Sequence, residues 1–229
     1  MITGALGHIG SRILRELPET FPDHEIVMID NLVTQRYTSL FNLPTDGNYQ
    51  FYEADILSME LKPIFEKADV VLHLAAITDA ANSFQNREQV ESVNYNGTVK
   101  VANACKEMGC PMIHLSSTSV YGTQKETVNE DCSSEDLNPQ SPYAETKLEE
   151  ESYLQSLGSD KPFQFVIFRF GTICGTSPGM RFHTAINKFS KRQMTFFRRM
   201  EKRGIKINWV SHDKTHQITE LVTSFLNNS

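Results

Sequence analysis

The chain has 229 residues, 39% of them hydrophobic and 22% charged, an ordinary balance with length enough for one large α/β domain and a small lobe. A formal charge of −6 argues against nucleic acid as a partner, since binding phosphates needs a basic face. No run approaches the ~20 apolar residues of a membrane span, no signal peptide is visible, and Cys105, Cys110, Cys132 and Cys174 show neither CxxC pairing nor metal-ligand spacing, so a cytoplasmic protein with reduced thiols, no metal and no membrane partner is expected.

Met1-Ile2-Thr3 reads as the end of a buried strand, and a trimmed N-terminus is expected. It leads into Gly4-Ala5-Leu6-Gly7-His8-Ile9-Gly10, a GxxGxxG turn. Ile9, Ile13, Leu14 and Leu17 then recur at helical spacing, with Pro18 expected at the helix end. Glycines in such a turn let the backbone bend tightly and approach a pyrophosphate held at the helix N-terminus, a weak signal when alone. Glu25 to Ile29 reads as the second strand, closed by Asp30 about twenty residues after the last glycine. An acidic side chain there accepts hydrogen bonds from an adenosine ribose and repels a 2′-phosphate, favouring NAD over NADP. The plainer reading, an Asp ending a strand, loses weight with the glycine turn upstream. Asn31 and Arg36 follow in a polar loop and read first as surface loop residues, with contact to an adenosine as the alternative.

Gln50 to Ile56 reads as a third strand with Asp55 at its end, and 57–67 as a short helix. Asp69 to Ala76 is a near-continuous apolar run, as in a parallel strand buried on both faces, and Ala75-Ala76 leaves room for a cofactor beside the backbone. His73 within it reads as a satisfied structural histidine. A helical pattern over 88–108 runs through Val90, Val93, Val101, Ala104 and Cys105, interrupted by Asn94 and Asn96-Gly97-Thr98. Pro111 to Leu115 is a strand that delivers Ser116, Ser117, Thr118 and Ser119 to its C-terminal end, the edge where open α/β sheets bind ligands.

Ser141-Pro142-Tyr143-Ala144-Glu145-Thr146-Lys147 sets a Tyr and a Lys four apart on one helix face. Beside oxidised nicotinamide, a Lys ammonium favours the phenolate of a Tyr whose pKa is ~10 when free. The result is a base able to take a proton from a sugar hydroxyl. An ordinary surface Tyr and Lys is the bland reading of this spacing alone. Phe163 to Arg169 is a further strand. The alternation predicts a Rossmann-type doubly wound parallel α/β sheet over 1–174 and a small, incompletely represented substrate lobe over 175–229. In that lobe a turn at Thr176–Gly179, helices over 181–189 and 218–226 and a strand over 205–210 are expected. Lys188, Lys191, Arg192, Arg198, Arg199, Lys202 and Arg203 form a basic cluster that reads equally as a diphosphate clamp or a solvated face.

Taken together, these motifs resemble the extended short-chain dehydrogenase/reductases, in particular the NAD-dependent nucleotide-sugar epimerase/dehydratase family. The matching pieces are Thr3-Gly4-x-x-Gly7-x-x-Gly10, Asp30-Asn31-Leu32, Asp55-Ile56, His73-Leu74-Ala75-Ala76, Asn94-x-Asn96-Gly97-Thr98, Ser116 to Gly122, Ser141-Pro142-Tyr143-x-x-x-Lys147 and Arg169-Phe170-Gly171. The resemblance implies Tyr143 as base, Lys147 on the nicotinamide ribose, and Ser117, or Thr118 if the register slips by one, on the substrate hydroxyl. It implies NAD contacts from Gly4, Gly7, His8, Ile9, Gly10, Asp30, Asn31, Asp55, Ile56, Leu74, Ala75, Ala76, Asn94, Tyr143 and Lys147. Substrate contacts are implied for Thr78, Ser117, Thr118, Thr172 and Arg181. Thr172 departs from the Asn that many members carry, and Ser117-Thr118-Ser119 from the Thr-Asp-Glu of dehydratases.

The resemblance therefore implies a UDP-sugar-type 4-epimerase acting by transient C4 oxidation, with 4,6-dehydratase or dehydrogenase/reductase chemistry as the alternative. A nucleotide-diphosphate sugar is the implied substrate, and a homodimer packed through the helices around 88–108 and 142–157 is implied as well. A non-catalytic NAD sensor on the same fold is the reading from another class, and the intact Ser/Tyr/Lys set argues against it. The chain is short for the family, so segments of the lobe are expected to be absent, with a seam between Lys188 and Lys202.

Overall fold

Apolar runs at Ile2–Thr3 (β1), Glu25–Asp30 (β2), Asn48–Glu53 (β3), Val71–His73 (β4), Met112–Ser117 (β5) and Phe165–Phe170 (β6) assemble into one six-stranded sheet, ordered β3-β2-β1-β4-β5-β6. Every neighbouring pair is parallel. This is the doubly wound order, in which the chain reverses direction across the sheet between β1 and β4 and opens a crevice at their C-terminal ends. The computed structural model describes residues 1–80, 82–122, 136–158, 163–171, 173, 175–180, 198–199 and 202–203. Met1–Met180 forms one compact unit and Arg181–Ser229 a second. The expected lobe helices and strand, Thr172, Arg181, Cys132, Cys174 and most of the expected seam lie outside the described residues.

Strand alternation sorts the apolar side chains onto two faces. Ile26 and Met28 of β2 join Ile2, Leu6 and Leu14 under helix α1, His8–Thr20. Ile29 joins Phe65, Val71, Val101, Met112 and Leu154 on the opposite face. That second face is covered by α2 (Lys62–Phe65), α4 (Asn96–Met108) and α5 (Pro142–Leu157). Among the described residues no helix is long and apolar enough to cross a membrane, and no His, Cys, Asp and Glu cluster is placed to hold a metal ion.

Several boundaries differ from the sequence expectation, each for a local reason. Pro18 lies inside α1 rather than at its end. Without an N–H it leaves the Leu14 carbonyl unbonded within the helix, and the Tyr49 hydroxyl of β3 donates to that oxygen at 2.7 Å. The helix expected over 88–108 begins as Arg87–Val90 (α3), widens into a π-helical turn at Glu91–Tyr95 and continues as α4. The π turn places Asn94 inward, where Oδ1 accepts from Ile77 N–H at 2.7 Å and Nδ2 donates to Ile77 O at 2.9 Å. Those two bonds hold the segment that leaves β4. That strand ends at His73, not Ala76, while β3 ends at Glu53 and leaves Asp55 and Ile56 in the following turn. Of 57–67 only Lys62–Phe65 is helical, and β6 runs Phe165–Phe170 rather than Phe163–Arg169.

Candidate active site

At the β1 exit Gly4 has φ +64, and a Cβ there would lie 2.6 Å from Ala75 N; at Gly10 it would lie 2.4 Å from Ala5 O. These two glycines let β1, the β4 exit and α1 close on one another. Gly7 is the N-cap of α1, with no side-chain cap and no acidic residue in the first turn. The first amides of α1, from His8 to Gly10, are therefore left without a side-chain cap and, with the helix dipole behind them, suit an anion. The cradle fits a dinucleotide pyrophosphate.

Asp30 sits where β2 ends and serves the loop first. Leu6 N–H donates to Oδ2 and Leu32 N–H to Oδ1, both at 3.0 Å. Each carboxylate oxygen keeps a second lone pair, enough to accept from a ribose hydroxyl. Asn31 Nδ2 donates to Asp55 Oδ2 at 3.0 Å, tying the β2 and β3 ends, and Leu57 N–H donates to Asp55 Oδ1 at 2.8 Å. Ile56 is buried beneath Gly97. Leu74 N–H donates to Thr3 O and Ala75 N–H to Thr3 Oγ1. His8 Nε2 lies 3.1 Å from Gly175 O, and Thr78 is exposed. Gly179 N–H donates to Ser11 Oγ at 3.0 Å, laying the 177–180 turn against the glycine loop.

The second half of the site starts at Ser141, whose Oγ accepts Ala144 N–H and caps α5, with Pro142 as its first residue. Tyr143 N–H finds its acceptor in the buried Ser83 Oγ at 3.3 Å. Tyr143 is half-buried and Lys147 buried one turn along the same face. At the β5 end Ser117 Oγ accepts from Ser119 N–H at 3.1 Å and Ser119 Oγ at 2.8 Å. Thr118 is exposed, with Oγ1 3.5 Å from Phe170 O. Both β5 and the 3₁₀ turn Thr118–Tyr121 pack on α5.

Behind Lys147 lies a buried polar network. Lys147 Nζ donates to Glu150 Oε2 at 2.9 Å, with side chains 5% and 0% exposed. Burial opposes the ammonium, but the Glu150 carboxylate and then Tyr143 outweigh it and raise the Lys147 pKa above its ordinary value. Burial likewise opposes the Glu150 charge, yet Lys147 and then His114 hold that carboxyl down at about 2. His73 is pushed to about 3 by burial and then by His114 and Lys147, and burial also lowers His114, which Glu150 pulls the other way. His114 Nε2 lies 3.0 Å from Glu150 Oε2, although neither ring nitrogen has an aligned hydrogen-bond partner.

Sequence reasoning missed Glu150, His114 and Ser83, and placed Thr98 in a motif without a role. Glu150 was visible as an acid three residues after Lys147, a spacing that brings helix side chains together. His114 and Ser116 fall on the same face of β5 as buried Met112, which predicts buried polar groups in need of partners. Arg169 was visible only as part of a motif; it forks onto Glu151 with contacts of 2.6 and 3.0 Å, donates to Tyr121 Oη at 3.0 Å and so joins β6, α5 and the 3₁₀ turn.

The chain is similar to known proteins in sequence and in fold. A Bacillus subtilis (strain 168) protein described as an uncharacterized UDP-glucose epimerase is 31% identical over 211 residues, 86% of this chain and 64% of its own. The dTDP-D-glucose 4,6-dehydratase of Mus musculus is 35% identical over 182 residues, 76% of this chain and 50% of its own. UDP-glucuronic acid 4-epimerase from Bacillus cereus, solved with UDP-glucuronic acid and NAD, superposes with a TM-score of 0.71 at 30% identity, covering 83% of this chain and 62% of that one. This chain thus spans between half and two thirds of the length of each. Residues 1–207 match the NAD dependent epimerase/dehydratase family, and the chain belongs to that family.

Proposed function

We propose that the protein is a nucleotide-sugar 4-epimerase with NAD as its resident cofactor. The observation that carries this reading is the composition of the site at the β5 edge. Tyr143 and the buried Lys147 share the first turns of α5, and the turn packed against them presents hydroxyls only, at Ser117, Thr118 and Ser119. Dehydration of a sugar needs an acid to expel water, and that turn supplies none.

Gly4, Gly7, His8, Ile9 and Gly10 would hold the pyrophosphate. Asp30 and Asn31 would hold the adenosine ribose, Asp55 and Ile56 the adenine, and Leu74, Ala75, Ala76 and Asn94 the strand-exit side. NAD, when bound, supplies a hydride acceptor and donor that no side chain can provide. The chain's own part is proton transfer and orientation. Tyr143 removes the proton of the C4 hydroxyl and gives it back after the keto-sugar has turned over. The Lys147 ammonium favours the phenolate during that exchange and would hold the nicotinamide ribose. Ser117 Oγ already accepts two hydrogen bonds, which leaves its own O–H to donate to the sugar oxygen. Thr118, with Oγ1 near Phe170 O, is the weaker candidate for that role. Thr78, Thr172 and Arg181 are proposed on the substrate side. A homodimer through α3–α4 and α5 belongs to the same reading, and light scattering tests it.

The test is incubation with NAD and a panel of UDP-, dTDP-, GDP- and CDP-sugars, products resolved by NMR, beside Tyr143→Phe. A C4 stereoisomer without net NADH, lost in the variant, is expected. A 4-keto-6-deoxy product would move the protein to the dehydratases, the activity that the mouse relative is named for. NAD binding without turnover of any sugar would favour the sensor reading.

A further inference from the structure

We propose that Glu150, outside the Ser/Tyr/Lys set, is a positioning residue of the site: it is the counter-ion that orients Lys147 Nζ and sustains the ammonium inside the fold. The proposal rests on the reading of Tyr143 and Lys147 as the catalytic pair.

Every group around Lys147 points to Glu150 for this task. On α5 itself, Tyr143 lies one turn before Lys147 and Glu150 almost one turn after it. Glu151, the next carboxylate, is turned away and occupied by the fork of Arg169. From β4 and β5 come His73 and His114, both buried and stacked at 5.8 Å between ring centres, and both neutral at pH 7 because burial depresses them. From α4 comes Thr98, which carries no charge. Glu150 is therefore the one anion aimed at Nζ among the described residues, at 2.9 Å.

A chain of hydrogen bonds with a fixed direction ends on the same oxygen. Thr98 Oγ1 donates to Glu150 Oε2 at 3.0 Å, so at 3.2 Å it must accept from His73 Nε2. A neutral imidazole protonated at Nε2 has Nδ1 as acceptor, and Thr3 Oγ1 donates to it at 2.7 Å. Thr3 Oγ1 accepts in turn from Ala75 N–H at 3.4 Å. The sequence Ala75, Thr3, His73, Thr98, Glu150 closes on Oε2 as an acceptor, the part a carboxylate plays for Thr98 and Lys147 alike. An ionised Glu150 satisfies that chain and Lys147 together. It ties the orientation of the α5 lysine to the β1 and β4 exits, where the cofactor is proposed to lie.

The experiment follows the Lys147 side chain by NMR of ¹³Cε-labelled lysine from pH 6 to 11, with the signal assigned through Lys147→Arg. In the wild-type protein the resonance should stay that of an ammonium beyond the ordinary lysine range. In Glu150→Gln its midpoint should fall by ~3 units, the scale of desolvation for a buried lysine without its anion. Glu149→Gln, at the exposed neighbouring position, should leave it in place. Should Glu150→Gln fail to fold, Lys147→Met tests the same coupling from the other side, because linkage is reciprocal. With Lys147 gone, the Glu150 carboxyl should titrate ~2 units or more above its wild-type midpoint. Unchanged midpoints in either variant would overturn the proposal.

Turnover separates this idea from the proposed activity. If wild-type protein converts no nucleotide sugar while Lys147 still responds to Glu150→Gln, the activity is wrong and the role of Glu150 stands. If turnover is present, Glu150→Gln should gain a basic limb in its pH profile. A lowered lysine pKa leaves the charged form intact below it and removes it as pH rises through it. A profile of unchanged shape, with Lys147 unmoved, would leave the epimerase reading intact and remove Glu150 from it.

Discussion

The two halves of the crevice hold their positions by opposite means. On the β1–β3 side the work is done by backbone: Gly4 and Gly10 allow close approach, α1 offers uncapped amides, and Asp30 fastens the loop by accepting two N–H groups. On the β4–β5 side it is done by buried side-chain charge, with Lys147 and Glu150 paired beneath Tyr143 and two neutral histidines packed alongside. A backbone site tolerates no added atoms, whereas a charged one tolerates no missing partner. The first kind of site is brittle to small-to-large changes and the second to isosteric loss of charge.

Tyr143→Phe should have the largest effect, lowering turnover by ~10²–10⁴-fold while NAD binding measured by fluorescence titration persists, since only the proposed proton carrier is removed. Glu150→Gln should come next in stability, costing ~3–5 kcal/mol by urea unfolding at pH 7 because a buried cation loses its partner. Its pH dependence has a defined sign. The folded carboxyl sits at about 2, below an unfolded value of ~4.3, so its contribution is complete above ~4.3 and is lost as pH falls toward 2. The gap between wild type and variant should narrow over that interval.

Gly10→Ala should destabilise by ~1–3 kcal/mol, since its Cβ would strike Ala5 O at 2.4 Å. Gly7→Ala, where the nearest atom is Gly4 O at 3.2 Å, should cost less stability and show mainly as weaker NAD binding. If both glycines acted alike on the melting temperature, the backbone half would be one packing unit rather than a fold position beside a ligand position. Ser141→Ala is the smallest change, ~1 kcal/mol from a lost helix cap, read in thermal unfolding.

Local chemistry made much of this legible. The GxxGxxG turn, Asp30 and the apolar runs announced a doubly wound sheet, because glycine freedom and parallel-strand burial leave marks on neighbouring residues. Tyr143 and Lys147 were readable because a helix brings residues four apart together. The strand ends were less so. Whether β4 continues to Ala76 depends on Thr3, some seventy residues away, offering its carbonyl to Leu74 and its hydroxyl to Ala75. Pro18 looked like a helix end, and it is tolerated inside because a tyrosine from another strand occupies the carbonyl it abandons.

By itself, then, the sequence determined the order of strands and helices, the glycine cradle, the acid at the end of β2 and the Tyr/Lys pair, all features written in spacings of a few residues. Only the tertiary structure decided what surrounds Lys147. Glu150 could have faced solvent like its neighbour Glu149, and His73, Thr98 and His114 come from three separate elements. Their meeting depends on sheet register, which pairs His73 with both Thr3 and His114, and on the seating of α5 against β5. Burial then sets which of those groups are charged, a property of the surroundings that no single stretch of chain contains.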